Sequence, residues 1–103
     1  MTVVVTAVFH PVEGAKDRLA EAMRAGIEAV HAESGCELYA IHDAADGTIT
    51  MIEKWTSAEE LDAHGAGDAV KILGAGINGL LAKPTVVTRM TPIPVGTADQ
   101  GTL

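Results

Sequence analysis

Four histidines, one tryptophan, one tyrosine and one cysteine carry most of the chemistry open to this 103-residue chain. An imidazole is the side chain best suited to act as a base near neutrality. His10, His31, His42 and His64 lie on separate segments, and no two stand at the spacing of a helical metal-ligand pair. Trp55 offers an N–H that only donates, which suits a developing oxyanion. Lys71 can hold an anionic ligand or lie in solvent on a helix. Tyr39 reads as a cross-strand partner. Cys36, with no second cysteine to bridge to, reads as a small core residue. Gly74-x-Gly76-x-x-Gly79 matches a phosphate-binding pattern in form, but it falls inside a helical stretch rather than after a strand. No dinucleotide fingerprint and no haem-attachment motif is present.

Short elements must position these groups. β-Branched residues dominate from Thr2 to Thr6, so residues 2–10 predict a strand, ended by His10-Pro11-Val12-Glu13-Gly14. From Ala15 the period changes. Leu19, Met23, Ile27 and Val30 form a helical stripe that Ser34-Gly35 stops. Residues 36–42 predict a second strand. Asp46-Gly47 is a hairpin signal before a third strand over residues 48–55, which sets Ile49, Met51, Glu53 and Trp55 on one face. Glu53 is there either paired at the sheet edge or part of a pocket. Ser57-Ala58-Glu59-Glu60 is a capping box that starts a short helix to about His64. Gly65-Ala66-Gly67 breaks it. Asp68 can cap the next helix, where Val70, Leu73, Ile77 and Leu80 keep helical spacing, although Gly74, Gly76 and Gly79 weaken it. Pro84 to Met90 predicts the last strand.

The order β-α-β-β-α-β predicts an α+β, ferredoxin-like domain over residues 1–91, with an antiparallel sheet and helices on one face. Residues 92–103 predict an extended tail. The first strand is apolar on both sides: Val3, Val5, Ala7 and Phe9 on one, Val4 and Val8 on the other. One helical layer covers only one face. A second copy of the chain is the economical cover for the other, so a homodimer is expected.

Composition narrows the partners. Seven basic against fourteen acidic residues give a net charge of −7, and aromatic residues are 3% of the chain. Phosphate backbones and anionic membranes are repelled, and no stacking platform for bases exists. No apolar run approaches the ~18–20 residues of a membrane span. The start, Met1-Thr2-Val3-Val4-Val5, lacks the basic region of a signal peptide, so a cytoplasmic location is expected.

Glu33-Ser34-Gly35-Cys36-x-x-Tyr39, followed by Glu53-x-Trp55-x-Ser57-x-Glu59-x-Leu61-x-x-His64, resembles the antibiotic biosynthesis monooxygenase family, over about residues 3–91. The resemblance implies a dimeric α+β barrel. His42-x-x-x-Asp46-Gly47-Thr48 and the ending Met90-Thr91-Pro92 look like the actinorhodin-type members, which oxidise aromatic polyketide phenols to quinones with no metal or flavin. By that resemblance His42 and Trp55 are catalytic, and His64, Met51, Leu61 and Lys71 contact substrate. Trp55 and His42 match that type's pocket residues, and Lys71 stands for an arginine. Met51 and Leu61 replace an asparagine and a tyrosine. In the haem-degrading branch an asparagine, a tryptophan and a histidine fall on Ala7, His64 and Gly74, which speaks against haem degradation.

The implied chemistry needs no cofactor, because an electron-rich phenol can itself reduce O₂. The implied partners are a small aromatic substrate and O₂. His42 would take the phenol proton, or else be a solvated histidine at the hairpin end. Trp55 would donate to the oxyanion, lock helix to sheet, or do both. His64 lies three residues after Leu61, and so faces the sheet or caps the helix before Gly65. A non-catalytic dimeric binder of small hydrophobic ligands is the alternative reading, favoured by Met51 and Leu61.

Overall fold

Burial along the first strand sets the architecture. Val3, Val5, Ala7 and Phe9 are buried, while Val4, Thr6 and Val8 between them are only half-buried. A strand with one closed and one open side belongs to a sheet covered by helices on one face. The computed structural model describes residues 1–103 and has this form. The elements are β1 (Val3–Pro11), α1 (Lys16–His31), β2 (Cys36–Asp43), β3 (Ile49–Trp55), α2 (Ala58–Gly65), α3 (Asp68–Ile77) and β4 (Leu81–Met90). The four strands form one sheet in the order β2-β3-β1-β4, and all neighbours are antiparallel. This is the ferredoxin-like α+β fold. No helix is long and apolar enough to cross a membrane.

Local signals behave largely as the sequence suggests. Ser57 Oγ accepts from the Glu60 backbone N–H at 3.2 Å and starts α2. The Glu60 carboxylate does not return to close a full capping box. It accepts from Ser34 Oγ at 3.0 Å instead, which ties α2 to the loop after α1. Gly67, not Asp68, is the N-cap of α3. Gly74 and Gly76 lie within α3 without breaking it, and Gly79, at φ +84°, follows its end. The last strand begins three residues before Pro84, at Leu81. Its ladder with β1 shifts register between Val8 and His10. An edge strand with such an irregularity tolerates a proline that has no N–H to give.

The core lies between sheet and helices, around the fully buried Trp55, Leu19, Met23 and Met51. The opposite sheet face carries Val4, Val8, Ile52, Val86 and Met90 with no helix over it. Beyond β4, residues 91–103 form neither helix nor strand. They turn back on themselves, with Gly101 N–H donating to Thr97 O at 2.8 Å.

Candidate active site

The sheet register places the polar groups of the site in one row. Tyr39 of β2 pairs with Glu53 of β3, Glu53 pairs with Val5 of β1, and Val5 pairs with Arg89 of β4. All four point toward the helices and line a cavity of about 320 Å³ between sheet and helices. The next row, Met51-Ala7-Val87, lines the same cavity and is entirely apolar. Helices α2 and α3 close the top with Leu61, His64, Leu73 and Ile77. Ten of the sixteen lining residues are hydrophobic, so the cavity suits an apolar body with a polar head over the Tyr39–Arg89 row.

His64 is held at the polar end from two sides. Its Nδ1 lies 2.6 Å from Glu33 Oε1, in the loop after α1. Its ring lies over Trp55, with centroids 4.7 Å apart, and meets Tyr39 edge-on at 5.4 Å. A carboxylate on Nδ1 fixes that nitrogen as the donor and leaves Nε2 as the basic nitrogen. No protein group bonds Nε2. The side chain is only 7% exposed, and it lines the cavity.

Glu53 is a carboxyl on an otherwise apolar strand face, 5% exposed. Its Oε1 accepts from Trp55 Nε1 at 2.9 Å. Burial pushes its pKa up. The Trp55 N–H, His64 and Arg89 pull against that shift without cancelling it. Burial also pushes the Tyr39 phenol well above its ordinary value, reinforced by Glu53 and Glu33. At the rim, Arg89 Nη2 donates to Asp62 Oδ1 at 2.8 Å and links β4 to α2.

Of the residues singled out in the sequence, Met51, Leu61 and His64 line the cavity. His42 does not. It pairs with Thr50 on the uncovered face of the sheet, is exposed, and its Nδ1 contacts the Thr50 carbonyl at 3.2 Å. The sheet therefore separates it from the cavity. Lys71 is also outside: its side chain is 73% exposed and stands 3.9 Å from Asp68 on the outer side of α3. Trp55 is fully buried behind the cavity wall, and its N–H is taken by Glu53 rather than free for an oxyanion. The family positions Ala7 and Gly74 do line the cavity, and neither can ligate an iron. No group of three or more His, Cys, Asp or Glu side chains is placed to hold a metal ion.

Sequence reasoning missed Glu33 as the partner of His64. Glu33 opens the segment that carries the family resemblance, yet no spacing rule joins residues thirty-one apart. The signal for Glu53 was present in its place among Ile49, Met51 and Trp55.

A family model described as antibiotic biosynthesis monooxygenase matches residues 2–72. The chain is 31% identical over 97 residues to Rv0793 of Mycobacterium tuberculosis, a candidate monooxygenase, covering 93% of this chain and 96% of that protein. The solved structure of Rv0793 matches with a TM-score of 0.82 at 30% identity, over 94% of this chain and 100% of that one. A conserved protein from Methanosarcina mazei Go1 shares the fold at TM-score 0.80 and 22% identity, over 87% of this chain and 91% of that one. With an apolar cavity and a carboxylate-held histidine inside this fold, the chain belongs to the antibiotic biosynthesis monooxygenase family and is a monooxygenase-like member of it.

Proposed function

We propose that the protein is a monooxygenase that oxidises an aromatic quinol or polyketide phenol to a quinone, using the substrate itself as reductant and no flavin or metal. The Glu33–His64 pair at the polar end of an apolar cavity carries this reading. Ground-state O₂ is a triplet and reacts slowly with closed-shell molecules, but a phenolate can pass it one electron. His64 Nε2 takes the phenol proton, and the Glu33 carboxylate stabilises the imidazolium that results. The radical pair recombines at a ring carbon. The peroxide then takes the proton back from His64 as a hydroperoxide. The apolar walls, Met51, Leu61 and Leu73 among them, keep the radical pair from water. His64 thus replaces His42 in the role of base. A second copy of the chain covers the open sheet face.

The test is O₂ uptake by purified protein, freed of metal and flavin, with a panel of hydroquinones and naphthols. His64→Ala should lower the maximal rate by about 10²–10⁴-fold, the range for loss of a general base. Glu33→Gln should cause a smaller loss, and a more acidic phenol should recover much of either. His42→Ala should leave the rate unchanged. Tight binding of these phenols with no O₂ uptake would instead support the hydrophobic-ligand binder, which the ten hydrophobic lining residues also suit.

A further inference from the structure

We propose that Glu53 is the proton donor of this reaction, delivering its proton from Oε2 to the departing peroxide oxygen, and that Trp55 is the residue that positions it. The inference rests on the monooxygenase reading above. It concerns the step that reading leaves open, the loss of water from the hydroperoxide.

The step needs two groups. The substrate carbon carries a hydrogen and an O–OH. His64 Nε2 removes the C–H proton, the C–H electron pair becomes the second bond of a new C=O, and the O–O bond breaks. The distal oxygen would leave as hydroxide, a poor leaving group inside an apolar cavity. An acid that protonates it as the bond breaks lets it leave as water. The carbon is oxidised, the peroxide is reduced, and the proton on His64 restores the carboxyl through solvent.

The cavity holds one carboxyl for this task. Glu53 and His64 line it together, from the sheet and from α2. Trp55 Nε1 occupies Oε1 at 2.9 Å, which fixes Oε1 as the acceptor oxygen. In the neutral acid the proton must then sit on Oε2, which has no hydrogen-bond partner in the protein. The titratable groups near Glu53 are few: Tyr39 and Cys36 from β2, His64 from α2 and Arg89 from β4, whose backbone lies two strands and about 10 Å away. Helix α3 presents Val70, Leu73, Gly74 and Ile77, none of them titratable. None of these groups forms a salt bridge with Glu53. Arg89 is paired with Asp62, and His64 with Glu33. A buried carboxyl without a paired cation holds its proton to higher pH than an exposed one, and the upward push on its pKa agrees. Two titratable groups in one cavity, one set as base and one as acid, form an acid–base couple.

The experiment compares wild type, Glu53→Gln, Trp55→Phe and His64→Ala, using dihydroxynaphthalene as substrate and corrected for its uncatalysed oxidation. Glu53→Gln keeps the size and the acceptor oxygen but has no acidic proton. It should lower kcat by about 10²–10⁴-fold with little change in KM, and it should abolish the fall in rate at high pH. Trp55→Phe removes a donor that stabilises the carboxylate, so it should shift the pH profile upward, which a mere packing role would not do. Trp55 is the chain's one tryptophan, so its indole N–H resonance reports Glu53 directly. That resonance should titrate above the ordinary carboxylate range, and Glu53→Gln should remove the titration. If wild type turns over, His64→Ala does not, and Glu53→Gln keeps full rate and an unchanged profile, the proposal is overturned while the monooxygenase reading stands. If wild type consumes no O₂, both fall together.

Discussion

His64 and Trp55 lie ring over ring, with planes 33° apart, and Tyr39 meets both edge-on. Rings packed this way have few alternative rotamers, so the imidazole is held in place before a ligand arrives. Glu53 is the costly member of the group, because its charged form is buried with only one donor. The sign of the cost follows from linkage. Its folded pKa is raised above the ordinary 4.5, so the folded chain holds this proton more tightly than the unfolded chain. The stability contributed by the neutral acid is therefore present below about pH 4.5. It is lost as pH rises through the folded pKa, and is then constant. Glu53→Gln should melt at a higher temperature than wild type at about pH 8, with the gain shrinking toward about pH 4. Thermal melts at the two pH values check this. An equal difference at both would mean that Glu53 ionises as freely in the fold as outside it.

At the scale of elements, one extra residue turns His42 away from the cavity. Cys36 pairs with Trp55, but Leu38 pairs with Lys54, so β2 uses two steps where β3 uses one. This β-bulge leaves Glu37 unpaired and reverses the facing of everything after it. Without it, His42 would pair with Ile49 and point to the helices, and Tyr39 would point away. The element order, the Asp46-Gly47 turn, the Ser57 cap and the facing of Trp55 were all legible, because each depends on local spacing. The bulge was not, because nothing in the Cys36–Asp43 segment marks which residue is extra. Helix α3 shows a similar limit. Its glycines weaken the helical propensity, yet two of them differ entirely in surroundings. A Cβ on Gly26 of α1 would stand 2.7 Å from the Leu73 Cα, and one on Gly76 would stand 2.8 Å from Ala22 O, whereas one on Gly74 would meet nothing within 4 Å. Close approach of α1 and α3 thus requires Gly26 and Gly76. Gly26→Ala should destabilise the protein by about 1–3 kcal/mol, overpacking outweighing the helix propensity gained. Gly74→Ala should stabilise it by about 0.5–1 kcal/mol. Denaturant midpoints for the two variants should move in opposite directions, and a shift in the same direction would contradict the close contact.

For the whole molecule, the uncovered sheet face is an unfinished surface. Val86 is 54% exposed and Met90 38% exposed on its edge strand, beside Val4, Val8 and Ile52. Helices cannot cover it, because all three are used on the other side. A second copy bringing the same face is self-complementary, as a two-fold interface requires. It would also brace β4, whose inner side supplies Val87 and Arg89 to the cavity wall. The mass in solution should therefore be twice 10.6 kDa at micromolar concentration. Val86→Asp puts a charge on that face while leaving the core untouched. Burying it unpaired costs several kcal/mol (about 3–5), enough to split a dimer of ordinary affinity. Sedimentation should show the variant as a folded monomer, with circular dichroism unchanged and O₂ uptake reduced because β4 has lost its brace. A wild-type chain that stays monomeric at about 100 μM, a concentration far above the dissociation constant of a stable dimer, would mean that this face is left to another partner.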